Sequence, residues 1–233
     1  MERMSAVFDY SNLSDRPAGP FVTLASRLLP GVRAVQEQIE PYAKAWQRHN
    51  VAALAATGPL WVALGDSMTV GIGAPTYDQG WVGQLVARMP GWRVLNLAIS
   101  GGRVRDVLHR QLPALDALGA APDLVTVLVG SNDLMNPRYR LELATDLQAL
   151  VRRLPRGTVI GNQPGTFAAA LEVNRIIDDA VAERGLVLAE LRDPRTRHWL
   201  GKLAADHFHP NEHGYAAMAA IFEEAIRRRA DHN

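Results

Sequence analysis

The chain has 233 residues, 48% of them hydrophobic and 21% charged, with a formal charge of +1 at pH 7 and no cysteine. This length fits one mid-sized domain with a substantial core, and the near-neutral charge gives no electrostatic case for nucleic acid or an anionic membrane as partner. The absence of cysteine excludes disulfides, thiol nucleophiles and Cys-ligated metals.

The N-terminal stretch MERMSAVFDYSNLSDRPAG is polar, carries early acidic residues and lacks an uninterrupted apolar segment. No run reaches the roughly 18 apolar residues of a membrane-spanning helix, so the expected setting is cytoplasmic with no transmembrane segment. Residues 1–19 read as an irregular arm rich in turn formers. From Phe21 to about Ala56 the pattern becomes helical, broken at Pro30-Gly31. Val32, Val35, Ile39, Tyr42 and Trp46 fall at helical spacing, and Pro41 is expected to kink or split that helix. This prefix is expected to pack over the core as cover; a homodimer contact or a wall of the substrate pocket are the alternatives.

After Gly58-Pro59 short apolar runs alternate with helical patterns. The predicted strands are Leu60–Leu64, Arg93–Ala98, Leu124–Val129, Thr158–Asn162 and Leu186–Leu191. The predicted helices cover about 79–89, 103–118, 138–153, 166–184 and 211–229. Such alternation predicts an α/β fold, a three-layer α/β/α sandwich around a five-stranded parallel sheet. The division that follows is 1–57 as arm and helical extension and 58–233 as the main domain. In the last helix Asn211 is a candidate N-cap, the stripe Tyr215, Met218, Ala219, Phe222 and Ile226 a core face, and Arg227, Arg228 and Arg229 sit at the negative end of the dipole.

Ligands of open parallel sheets bind beyond the carboxyl ends of the strands. The segments following the strands carry a consistent set of groups: Gly65-Asp66-Ser67, Ser100-Gly101-Gly102, Gly130-Ser131-Asn132-Asp133, and Asp206-His207-Phe208-His209 before the final helix. Acyl transfer needs a hydroxyl nucleophile, a base to take its proton, a carboxylate to hold the base, and donors for the oxyanion. Ser67, His209 and Asp206 match the first three needs. The N–H groups of Ser67 and Gly101, with the Asn132 side chain, are candidates for the last. No Gly-x-Ser-x-Gly elbow surrounds Ser67, which separates the pattern from the α/β-hydrolase arrangement.

These motifs resemble those of the SGNH, or GDSL-type, hydrolase superfamily: GDS at 65–67, a glycine within NLAISGG at 96–102, GSND at 130–133 and DHFH at 206–209. The resemblance spans about Leu60 to Ile226. It implies a flavodoxin-like fold and an esterase, lipase, thioesterase or acyltransferase activity on a small acyl ester or thioester. It also implies Ser67 as nucleophile, Gly101 and Asn132 in the oxyanion hole, and Asp206 with His209 completing the triad. Gly65 is then the turn, and Asp66, Gly130 and Asp133 support the loops. No cofactor or metal is required. Met68 stands where the common motif has Leu, a change of little consequence, whereas the prefix 21–56 falls outside the minimal pattern.

Competing readings are specific. Asp206, His207, His209 and His213 form D-H-x-H-x₃-H, the outline of a metal site. Arg103, Arg105 and His207 lie beside the key segments; Arg103 and His207 are candidate substrate contacts, while the plainer reading of Arg103 and Arg105 is a solvated helix face. An acyltransferase or carbohydrate deacylase would use the same triad, and a non-enzymatic binding module would share the fold.

Overall fold

The computed structural model describes residues 10–17, 19–165 and 167–230; the first nine residues of the expected arm lie outside them. Three helices come first: α1 (Pro20–Leu28), α2 (Pro30–Gln36) and α3 (Ile39–Ala55). The alternating part then runs β1 (Leu60–Gly65), α4 (Ser67–Val70), α5 (Trp81–Val86), β2 (Arg93–Asn96), α6 (Val104–Asp106), α7 (Leu112–Asp116) and β3 (Leu124–Leu128). It continues with α8 (Ser131–Met135), α9 (Pro137–Arg153), β4 (Val159–Gly161), α10 (Ala168–Arg184), β5 (Val187–Ala189), α11 (Pro194–Arg197) and α12 (Glu212–Ala230). The five strands form one parallel sheet in the order β2-β1-β3-β4-β5.

The two faces follow from the period of two along each strand. On β1, Leu60, Val62 and Leu64 join a core with residues of α7, α9 and α10, while Trp61 and Ala63 join the opposite core under α5 and α12. All six residues of β1 are buried, which is why the strand reads as an unbroken apolar run. In α12 the expected stripe is a core face: Tyr215, Met218, Ala219 and Phe222 are buried, and Phe222 stacks on Trp81 at 4.0 Å. Asn211 caps its first turn through the N–H groups of His213 and Gly214. Arg228 and Arg229 at its far end donate to the carbonyls of Leu188, Gly157 and Asp123.

Several boundaries differ from the sequence expectation for physical reasons. Pro41 does not break a helix from within; it occupies the first turn of α3, where no intrahelical N–H is required, and the chain turns at 37–38 instead. The helix expected at 79–89 is shorter, because Gly80 is extended and caps α5, with a 3₁₀ turn at Tyr77–Gln79 before it. The expected helix 103–118 contains a π turn at Val107–Gln111. Pro113, just beyond that turn, has no N–H for the next α-type bond. Helix α3 covers the open edge of β2. Asn50 on α3 donates to the Asn96 carbonyl at 2.9 Å and accepts from the Asn96 N–H at 2.9 Å, so a side-chain amide substitutes for a missing neighbouring strand. Among the described residues no helix is long and apolar enough to cross a membrane.

Candidate active site

Strand β1 ends against β3, and its last residue leaves no room for a side chain. A Cβ on Gly65 would meet the Leu128 carbonyl oxygen at 2.3 Å and the Thr69 hydroxyl at 2.4 Å. The backbone of Gly65 is held on both sides by one buried amide: Gln111 accepts from the Gly65 N–H at 2.8 Å and donates to the Gly65 carbonyl at 2.7 Å. Asp66 next caps α4 through the Met68 N–H at 3.0 Å and accepts from the Ser131 hydroxyl at 2.8 Å. That carboxylate therefore ties the loop after β1 to the loop after β3. Burial pushes Asp66 up to about 6, against the opposing help of those hydrogen bonds.

Ser67 opens α4 and is 3% exposed. Its Oγ lies 3.0 Å from His209 Nε2, and His209 Nδ1 lies 2.6 Å from Asp206 Oδ2. The other Asp206 oxygen accepts from the N–H groups of Phe208 and His209, both at 3.0 Å. The three-residue spacing works because the loop folds back on itself, with His207 at φ 56° in the turn between acid and base. Burial alone would raise Asp206, but hydrogen bonds and the nearby His209 outweigh it and hold the carboxyl below its usual range. A hydroxyl, imidazole and carboxylate in this series can move a proton from the hydroxyl to the ring while the carboxylate stabilises the imidazolium.

The loops after β2 and β3 meet beside Ser67. Asn132 Nδ2 donates to the Gly102 carbonyl at 2.8 Å, and Asp133 accepts from the Val104 N–H at 3.1 Å. Asp133 is buried and is also pushed up to about 6 by desolvation. Gly101 has φ +71°, a conformation that favours glycine. Among the described residues the N–H groups of Ser67 and Gly101 have no internal acceptor, so both are free to donate to a ligand. Gly130 caps α8 with φ +122° and accepts from the Leu134 N–H.

The remaining sequence candidates divide. Arg103 lies with its guanidinium 4.3 Å from the Tyr139 ring centre. Arg105 pairs with Glu142 and Asp146 on the helix surface, as the plainer reading expected. His207 is exposed. His213 is exposed and faces Glu212, and among the described residues Asp206, His207, His209 and His213 do not gather into a group that holds a metal ion.

Sequence reasoning missed Gln111 and the wall of an adjoining apolar cavity of about 150 Å³. That cavity is lined by Met68, Leu134, Phe167, Trp199, Phe208 and Met218 among others. Met68 and Phe208 neighbour Ser67 and His209 in the chain, a signal that was available, whereas Trp199 and Met218 arrive only through folding.

The sequence profile of the GDSL-like lipase/acylhydrolase family matches residues 63–217. Among solved structures, LAE5, described as an alpha/beta hydrolase enzyme from the metagenome of Lake Arreo in Spain, is 26% identical with a TM-score of 0.58, covering 74% of this chain and 96% of that one. TesA is 22% identical with a TM-score of 0.62, covering 73% of this chain and 99% of its own. A member of the lipolytic G-D-S-L family from Veillonella parvula is also 22% identical, with a TM-score of 0.59 and coverage of 73% and 100%. The last two show likeness of fold alone. A search of curated proteins found no match. With three motif loops at strand ends, a fourth before the last helix, and a profile match over most of the sheet-bearing part, the chain belongs to the GDSL-like lipase/acylhydrolase family and is a hydrolase of ester bonds.

Proposed function

We propose that the protein cleaves carboxylic esters or thioesters that carry a short apolar acyl group, through an acyl-enzyme on Ser67. His209 takes the Ser67 proton as the hydroxyl attacks the carbonyl carbon. Asp206 holds the imidazole tautomer and stabilises its charged form. The N–H groups of Ser67 and Gly101 and the Asn132 side chain receive the oxyanion. The tetrahedral intermediate collapses as His209 returns the proton to the departing alcohol or thiol, and water then repeats the sequence to free the acid. We assign 58–233 to this hydrolase unit and 1–57 to its extension.

The observation that carries the reading is the continuous series Asp206–His209–Ser67, with contacts of 2.6 and 3.0 Å in a nearly buried setting. The acyl preference rests on the apolar cavity lined by Met68 and Phe208, the chain neighbours of Ser67 and His209; its volume of about 150 Å³ is of the size that holds benzene, which scales to an acyl chain of about four to six carbons. A fluorophosphonate probe is expected to label the wild-type protein at Ser67 and to leave Ser67→Ala unlabelled. A p-nitrophenyl ester series is expected to peak at butyrate to hexanoate and to fall sharply at decanoate. Full labelling of Ser67→Ala rules out the nucleophile, and a maximum at long chains rules out the acyl assignment.

A further inference from the structure

Gly101 presents a problem of positioning. It has no side chain, it is exposed, and a Cβ built there would touch nothing within 4 Å, so packing does not fix the orientation of its peptide groups. A donor in an oxyanion hole acts by being already in place, so a freely turning glycine needs outside anchors. The Gly102 N–H donates to the Ile99 carbonyl, which holds one end of the Gly101–Gly102 peptide, and Asn132 donates to the Gly102 carbonyl beyond it. The Gly101 carbonyl itself is held by a residue far away in the chain: Arg16 Nη2 donates to it at 3.2 Å.

The same guanidinium grips Asp106 with both forks, at 2.9 and 2.6 Å. Asp106 is buried and accepts from the Arg103 N–H at 2.8 Å, which starts the helix that follows Gly101-Gly102. One planar cation therefore bridges the glycine turn and the helix beginning behind it, a geometry that a fork suits and a point charge does not. The arm that presents Arg16 is anchored along its described length. Tyr10 donates to the Leu97 carbonyl, and Asn12 donates to the carbonyls of Asn96 and Ala98, both at 2.8 Å. Arg110 holds the carbonyls of Leu13 and Ser14. These contacts follow the segment that runs from β2 into the glycine turn. Residues 10–16 also precede the stretch matched by the family profile.

We infer that Arg16 is a positioning residue for the oxyanion hole: by holding the Gly101 carbonyl and the Asp106 carboxylate together, it fixes the peptide that follows Gly101, restrains rotation about the Gly101 Cα, and so keeps the Gly101 N–H of the preceding peptide in place and tunes transition-state binding. This rests on the proposed role of Gly101. It predicts that loss of Arg16 acts on kcat more than on KM, because the ground-state ester gains little from a donor aimed at the developing charge.

The test uses the full chain. Arg16→Gln removes the cation and the fork; Arg16→Lys keeps a cation for Asp106 but loses the planar fork that grips the carboxylate at two points while reaching the Gly101 carbonyl. Each variant is assayed with p-nitrophenyl butyrate, and with butylboronic acid as a reversible tetrahedral adduct of the serine, at a temperature where circular dichroism shows it folded. Both variants are expected to lose about tenfold in kcat, below the 10²–10³ of deleting a donor outright. KM should stay within about twofold and the boronate inhibition constant should rise in step with the loss of kcat. Arg16→Lys should keep a melting temperature near wild type, which separates positioning from simple anchoring of the arm. Wild-type kcat and boronate affinity in Arg16→Lys overturn the inference, as do losses that vanish when rates are corrected for the folded fraction. Ser67→Ala, run alongside, tests the underlying reading: if it keeps activity, the proposed mechanism fails, whereas its inactivity with an unaffected Arg16→Lys defeats the Arg16 role alone.

Discussion

The two sides of the candidate site are built in opposite ways. On the acid–base side, Asp206 and His209 stand three residues apart on one loop, and the carboxylate is satisfied by that loop's own N–H groups. On the donor side, Gly101 and Asn132 come from loops after different strands, joined by the Asn132 contact to Gly102 and the Asp133 contact to Val104. Arg16 adds a third and more distant segment to the donor side. A local pair depends on one turn keeping its shape. A dispersed set depends on the sheet holding every loop in register, so it is the more exposed to changes far from the reacting atoms.

Substitutions can break or sharpen that contrast. The largest effect is expected at the acid–base side: Ser67→Ala and His209→Ala should each lower kcat by about 10⁵-fold, as groups that act as a unit do. In the same steady-state assay His207→Ala should stay within about twofold; a severe loss there would move the base from His209. Next, Asn132→Ala should cost about 10²-fold in kcat with KM nearly unchanged, since its second amide proton serves only the developing charge. If Asn132→Ala instead raised KM alone, the donor side would be a binding surface and the contrast would fail.

A smaller effect on rate, and a larger one on stability, is expected for Gln111→Ala. It strands the buried Gly65 N–H that Gln111 pairs, while the Gly65 carbonyl keeps the Ile99 N–H at 3.2 Å. Leaving that N–H unsatisfied costs about 2 kcal/mol, a fall in Tm of roughly 4–8 °C for a domain of this size. Differential scanning calorimetry checks it, and an unchanged Tm would mean that water takes over the Gly65 N–H.

The subtlest prediction concerns pH. Asp66 is pushed up to about 6 in the folded protein, so from roughly pH 4, where an unfolded Asp titrates, up to pH 6 the fold holds a proton that the unfolded chain has released. Its contribution to stability therefore falls as pH rises across that window, and Asp133, also raised to about 6, has the same sign. Asp206, held below its usual range, has the opposite sign and contributes stability that is lost as pH falls through its folded pKa. Asp66→Asn should become more stable relative to wild type between pH 4 and pH 7. Thermal melts at several pH values check this, and a difference independent of pH would show that Asp66 ionises freely.

Much of this site could be read in the sequence because its chemistry is written in short segments. GDS and GSND each end an apolar run and lie in the structure where the chain leaves the sheet, and DHFH lies in the loop that enters the last helix. The strands were legible for a similar reason: strands covered on both faces are nearly pure apolar runs. Gln111 was not legible, because a glutamine within a helical pattern looks like a solvent-facing residue until the π turn and the end of β1 are brought together. Arg16 gave no signal at all, since its partners lie 85 and 90 residues away.

The sequence by itself determined the layered fold and the family, and it marked Asp206 and His209 as the candidate acid–base pair, because periodicity and local spacing are properties of neighbours in the chain. Only the tertiary structure decided how the donor side is held, what lines the apolar cavity, and that residues ahead of β1 reach the loops around the candidate site through Arg16, Gln38, Tyr42 and Trp46. Gln38, Tyr42 and Trp46 illustrate the last point: they hydrogen-bond the carbonyls of Ala74 and Val70, just past the nucleophile loop. These depend on contacts between segments distant in sequence, and a buried hydrogen bond forms wherever folding leaves an unpaired group, not where a motif announces it.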